Sequence, residues 1–275
     1  MKPKLFLCAG MSKSGTTTLW KLLNNYNLIN NMRYKETHYL KMLCDMRDGN
    51  TDDIYPQDIK DSWKNYLITR NREDSGLDIP YSFKDYKQYL NNNLKDKSQA
   101  VADFSQSISI LPEYFLEEIR DNLCDDFDVK IIILFREPVR RLWSHCVNLS
   151  YEVNGWYNKT KPPQELFYEY MNLPQFQNLY VNVKDKFEKI FDNVIFLSTE
   201  KFYTNQTEHD RLSDFLGISK LEKSDGSQLK CGYNSITLAN LYENKTLYGD
   251  NVLSSEVIEV ATEKLLPSTR IYEQL

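Results

Sequence analysis

Glycine is scarce in this chain, with nine in 275 residues, and histidine scarcer still at three. The five cysteines fall singly, at Cys8, Cys44, Cys124, Cys146 and Cys231. Cysteines that are odd in number and lack a CxxC pair argue against a zinc site or a disulfide framework, so reduced thiols and no bound metal are expected. No apolar run approaches the roughly 20 residues that a membrane-spanning helix needs. The first residues run straight into a strand-like segment instead of a secretory signal, which makes a cytoplasmic protein the expectation. A cationic excess is also missing: 34 Lys and Arg stand against 39 Asp and Glu, the net charge is −5, and the sequence pI is near 5.4. Neither nucleic acid nor an anionic membrane is therefore the expected partner, and any basic site has to be local. The length suits one large α/β domain over residues 1–275, and nothing in the pattern fixes an oligomeric state.

Scarcity makes the placing of glycine informative, because Gly10 and Gly15 fall in one short stretch. Leu5 to Ala9 is an apolar run of strand length, and Leu19, Leu22, Leu23 and Tyr26 then recur at helical spacing. The loop between them opens onto a helix N-terminus. There the backbone N–H groups and the positive end of the dipole favour an anion, and the glycines let the backbone curl around it. The glycine spacing begins like a Walker A loop, yet Thr16 stands where the lysine of that loop belongs and the cation has moved to Lys13. Lys13, Ser14, Gly15, Thr16, Thr17 and Thr18 are thus the candidate anion ligands.

Ile131-Ile132-Ile133-Leu134-Phe135 reads as a central parallel strand covered on both faces, and it delivers Arg136 to the strand's carboxyl end. Pro138 suits the first turn of a following helix, whose buried side is Val139, Leu142, Cys146 and Leu149 and which carries Ser144. A guanidinium and a hydroxyl so placed can grip one phosphate from two sides. Further strands are expected at Ala100 to Ser105 and Asn193 to Ser198, with a helix ending at Gly217. Tyr81 to Leu94 looks helical, and the acidic run from Asp45 to Asp61 reads as a solvated face. The stretch 151–182, with Pro162-Pro163 and many aromatics, reads as an inserted cap or lid over the acceptor. Arg33 to Leu40 is polar and aromatic, falls where a second strand is due, and carries Glu36 and His38. Asn148-Leu149-Ser150 forms a glycosylation triplet that a cytoplasmic, asparagine-rich chain produces by chance.

Three of these segments carry a family resemblance. Lys13-Ser14-Gly15-Thr16-Thr17-x-Leu19 resembles the 5′-phosphosulfate loop of sulfotransferases that use 3′-phosphoadenosine-5′-phosphosulfate (PAPS). Arg136 and Ser144, eight residues apart, resemble the family's 3′-phosphate motif, and Lys35-Glu36-Thr37-His38-Tyr39 resembles a segment of the heparan-sulfate-type and bacterial branch. The resemblance implies an α/β fold, a P-loop-like parallel sheet flanked by helices on both faces with a helical cap. It implies in-line transfer of a sulfuryl group to a hydroxyl, or less readily an amine, with Lys13 neutralising the leaving phosphate and Glu36 or His38 as base. It also implies that Gly232 and Tyr233 lie in a loop covering the nucleotide, although the arginine of that loop is missing. Two positions depart from the pattern: Lys41 stands where some members have aspartate, and Phe104 where a lysine helps bind anionic sugar. A small intracellular metabolite, neutral or cationic, is therefore expected as acceptor, as in natural-product tailoring. Two alternatives stay open: an ATP- and magnesium-dependent P-loop kinase, and a catalytically silent PAPS-binding module.

Overall fold

The computed structural model describes residues 2–25, 29–31, 36–47, 82–94, 100–151, 161–221 and 253–275. Gly232 and Tyr233 of the expected nucleotide-covering loop, together with Arg33, Tyr34 and Lys35, lie outside the described residues.

The described strands form one parallel sheet in the order β2-β3-β1-β4-β5, where β1 is Lys4–Gly10, β2 Ile29–Asn31, β3 Ala100–Asp103, β4 Asp128–Phe135 and β5 Val194–Ser198. The apolar runs at Leu5, Val101, Ile131 and Val194 all became strands, because a parallel sheet buried on both faces selects unbroken apolar sequence. The second strand differs from the expectation. It is the three-residue edge strand Ile29–Asn31, upstream of the Glu36–His38 stretch, which is left as a connection between β2 and the helix α2 (Tyr39–Arg47).

Helices cover both faces. On one, Leu5, Leu7, Ile131, Ile133 and Phe135 pack with α2, α3 (Phe83–Asn92), α4 (Glu113–Leu123) and, after α5 (Pro138–Tyr151), α6 (Pro163–Met171) and α7 (Pro174–Gln177), with α8 (Leu179–Ile190). On the other, Phe6, Cys8, Ile132 and Leu134 pack with α1 (Thr16–Asn25), α9 (Thr199–Thr204) and α10 (Gln206–Leu216). A third cluster contains no strand residue: Val139, Leu142 and Trp143 of α5 meet Phe167 and Met171 of α6, and Ala261 of α11 (Ser255–Lys264). The final helix, α12, is Leu266–Glu273, and Ile271 and Tyr272 pack on the first face.

Leu19, Leu22 and Leu23 are buried as their spacing predicts, and α10 ends at Gly217 in the left-handed region, φ 60°. Adjacent residues of β4 serve opposite cores, so Ile132→Ala and Ile133→Ala should each lower unfolding free energy by about 2–5 kcal/mol, without one masking the other. Urea unfolding of the two single variants and the double variant checks this.

Candidate active site

The ends of β1 and β4 set the loop between β1 and α1. The ladder between these strands slips by one residue between Cys8 and Gly10, and the N–H of Met11 then donates to the Leu134 carbonyl at 3.0 Å. Lys13 adopts φ 66° and Gly15 φ 81°, which turns the chain tightly. A Cβ on Gly15 would lie 2.3 Å from the Tyr203 hydroxyl, and one on Gly10 would lie 3.0 Å from Ser109 Cβ, so both glycines are close-approach points. The loop's carbonyls are held from outside: Thr199 Oγ1 donates to Ser14 O at 2.8 Å and the Tyr203 hydroxyl to Gly15 O at 3.3 Å.

One hydroxyl within this loop is left over. Ser14 is fully buried, and its Oγ meets no partner among the described residues. A buried hydroxyl without a partner is costly, and a phosphate or sulfate oxygen would satisfy it. Helix α1 opens at Thr16 with no acidic residue in its first turn, whereas the N-terminus of α5 is capped by its own Glu137, whose oxygens accept the N–H groups of Val139 and Arg140 at 2.9 and 2.8 Å. Of these two helix ends, that of α5 is closed by its own carboxylate, whereas that of α1 has no such acidic cap and can accept an anion.

Cations converge on the same place. Lys13 Nζ donates to Asn148 Oδ1 at 2.7 Å, and Arg136 Nη1 donates to the Lys13 carbonyl at 3.2 Å, joining the two halves of the expected nucleotide site. Ser144 lies on α5 one turn before Asn148. Burial pulls the Arg136 guanidinium down from its usual range, and Glu200, 4.0 Å from its Nε, opposes that. His145, next on α5, is depressed to about 4 by burial and then by Arg141 and Lys13.

Glu36 and His38 form a second group beside the loop. Gln106 Nε2 donates to Glu36 Oε1, the other Glu36 oxygen lies 3.6 Å from His38 Nε2, and His38 Nδ1 is 2.7 Å from Ser107 Oγ. His38 sits at φ 51°, and its backbone is fastened from below. Ser105 Oγ accepts the N–H groups of Thr37 and His38 at 3.1 and 2.9 Å and donates to Asp103 Oδ1 at 2.5 Å. The other Asp103 oxygen takes the hydroxyls of Thr37 and Tyr86 at 2.9 and 2.8 Å. Burial nonetheless holds the Asp103 carboxyl above its ordinary range. The short 3-10 helix Gln106–Ile110 connects both groups, since its Gln106 side chain reaches Glu36 and its Ser109 abuts Gly10. All of this lies at the carboxyl edge of the sheet, where open parallel sheets bind ligands.

Among solved structures, a sulfotransferase from Alicyclobacillus acidocaldarius matches all of this chain and 95% of its own, with TM-score 0.59 at 18% identity. This chain has the sulfotransferase fold. Two further similar structures are the sulfotransferase domain of the curacin biosynthetic pathway (TM-score 0.49, 16% identity, 96% of this chain and 97% of that one) and retinol dehydratase in complex with androsterone and the inactive cofactor PAP (0.45, 16%, 97% and 80%). No family model and no curated protein matches the sequence.

Within the sulfotransferase fold, the sequence passed over several residues that shape the site. Asn148 holds Lys13 although its triplet reads as chance, and Gln106, Thr199 and Tyr203 carry no motif of their own. Only their position beyond a strand end could have marked these three. Phe104, in place of the sugar-binding lysine, turns away and packs with Phe6 and Leu19 in the core. No helix among the described residues is long and apolar enough to cross a membrane.

The depressed His145 sets a pH dependence. The unfolded imidazole binds its proton near 6.5 and the folded one only near 4, so the unfolded state holds more protons in that window and stability falls as pH drops through it. His145→Phe keeps the ring and removes the titration, so the loss of urea midpoint from neutral pH to about pH 5 should be smaller than in wild type.

Proposed function

We propose that this chain is an enzyme, acting as a single domain over residues 1–275 with 151–182 as its cap, that moves a sulfuryl group from PAPS to a hydroxyl, or less readily an amine, of a small cytoplasmic metabolite. The reading is carried by one observation above the others: the loop bearing Lys13 and the orphaned Ser14 hydroxyl is fastened to Arg136 through the Lys13 carbonyl. That contact brings the resembling 5′-phosphosulfate and 3′-phosphate motifs together at neighbouring strand ends. PAPS supplies an activated sulfuryl group on a good phosphate leaving group. Ser14, Gly15, Thr16, Thr17 and Thr18 bind its 5′ end at the helix terminus, and Arg136 and Ser144 bind the 3′-phosphate, with Gly232 and Tyr233 assigned to the covering loop by resemblance alone. Lys13 meets the charge that grows on the departing phosphate oxygen, a contribution realised in the transition state.

Glu36 takes the acceptor proton with His38 orienting it, or His38 takes it with Glu36 as partner; their 3.6 Å separation supports a shared role. A base so placed contributes roughly 100- to 10,000-fold. The acidic Glu36 and the withdrawal of Phe104 into the core, at the position of the family's sugar-binding lysine, support a neutral or cationic acceptor. The kinase reading is weakened by Thr16, which is buried at the position where a Walker lysine would have to reach the phosphates.

Heat protection separates the readings. Stabilisation by the bisphosphate product PAP but not by ATP with magnesium is the expected result, and the reverse would restore the kinase. Incubating the enzyme and PAPS with a host small-molecule extract should yield, by mass spectrometry, a species heavier by one sulfuryl group. PAP binding without any such product would leave a silent binding module. With the acceptor in hand, Glu36→Gln should lower turnover by about 100- to 10,000-fold with PAPS affinity nearly unchanged, and His38→Ala should cost less. The opposite order, with an acid limb set by an imidazole, would make His38 the base. Lys13→Ala should slow the single-turnover rate more than it weakens PAPS binding.

A further inference from the structure

Two separate paths run from Arg136 to the last helix of the chain, one beginning with an ion pair and one made of hydrogen bonds throughout. The first holds its side chain. Tyr272 of α12 donates to Glu200 Oε2 at 2.7 Å and accepts from Ser198 Oγ at 3.3 Å. The other oxygen of Glu200 accepts the Glu137 N–H at 3.4 Å and lies 4.0 Å from Arg136 Nε. The second path holds its backbone. Ser268 of α12 donates to the Gln177 carbonyl at 2.7 Å and accepts the N–H of Tyr180 at 3.3 Å, and the Tyr180 hydroxyl donates to the Arg136 carbonyl. The Tyr180 ring stacks on Phe135 at 4.2 Å, one residue before the arginine.

We propose that Tyr272 and Glu200 are positioning residues for the nucleotide's 3′-phosphate, so that α12 is a working part of the cofactor site. The inference rests on the reading of Arg136 as the 3′-phosphate ligand. A guanidinium on a long side chain gives a directed, bidentate grip only if its plane is fixed before the phosphate arrives. The Lys13 carbonyl holds one end of that plane, and Glu200, at ion-pair distance from Nε, biases the other and keeps a counter-charge beside a largely buried cation. Its own anion would compete with a phosphate if it swung closer. Tyr272 and the Glu137 N–H each occupy one of its oxygens and hold it at the edge of the guanidinium.

Calorimetric titration with PAP and with AMP, which lacks the 3′-phosphate, tests this on the full chain. Tyr272→Phe should weaken PAP binding by about three- to tenfold, the worth of one ordinary hydrogen bond since Tyr272 acts at one remove, while AMP affinity changes by less than about twofold. General loosening of the fold would weaken both nucleotides alike, and equal losses, or an unchanged PAP affinity, would overturn the inference. Should Tyr272→Phe fail to fold, Ser268→Ala cuts the second path and should narrow the preference for PAP over AMP in the same way; an unaltered preference there would be equally fatal. A wild-type protein that binds PAP no better than AMP would remove Arg136 from the 3′-phosphate, and the inference would go with that reading. A wild-type preference that survives in the variants would remove the inference alone.

Discussion

The donation of a largely buried guanidinium to a backbone carbonyl, Arg136 to Lys13, is the contact on which the rest of the site depends. It joins the end of β4 to the turn after β1, and so couples the two strands that carry the central ladder to the two groups that would hold opposite ends of one nucleotide. Thr199 and Tyr203 draw the next two carbonyls of the loop outward. Inside the loop, the Ser14 N–H closes the turn on the Met11 carbonyl at 3.2 Å, and the Gly15 carbonyl also takes the Thr18 N–H at 2.9 Å, so the turn is held from both sides.

Charge is handled differently on the two sides of the site. Around the Lys13 loop, burial first and then Arg141 and Lys13 make His145 hard to protonate. The side that carries Glu36 and His38 instead buries a carboxyl group, Asp103, and satisfies it with three hydroxyls and the Ser105 N–H. Such a network is worth its desolvation only when complete. Its completeness holds the backbone of Thr37 and His38 in place, and with it the left-handed turn that presents Glu36 and His38 together.

What could be read in the sequence follows from how far apart the cooperating residues are. Strands β1 and β4 and the helices behind them announce themselves through unbroken apolar runs and helical spacing, signals contained within a dozen residues. Edge strand β2 could not, because three residues carry no period, and its neighbour Glu36–His38 looked like the more probable place for it. The loop as a candidate site could be picked out because Lys13, Ser14 and Gly15 are contiguous. The partners that hold Lys13, Glu36 and Glu200 are contributed by distant elements: Asn148 from α5, Gln106 from the turn after β3, and Tyr272 from the last helix, whose surroundings offered no chemical pattern at all.

The wall shared by Gly10 and Ser109 carries a consequence for how such a protein can diversify. With a hypothetical Cβ on Gly10 only 3.0 Å from Ser109, neither position can gain bulk without displacing the turn that precedes Lys13. Position 10 is thus closed to any side chain while Ser109 keeps its place, and variation along this edge is left to residues such as Ser107 or Ile110, which is 63% exposed. One strip of backbone reaches Glu36 through Gln106 and Gly10 through Ser109, and that strip confines evolutionary change to its outer margin.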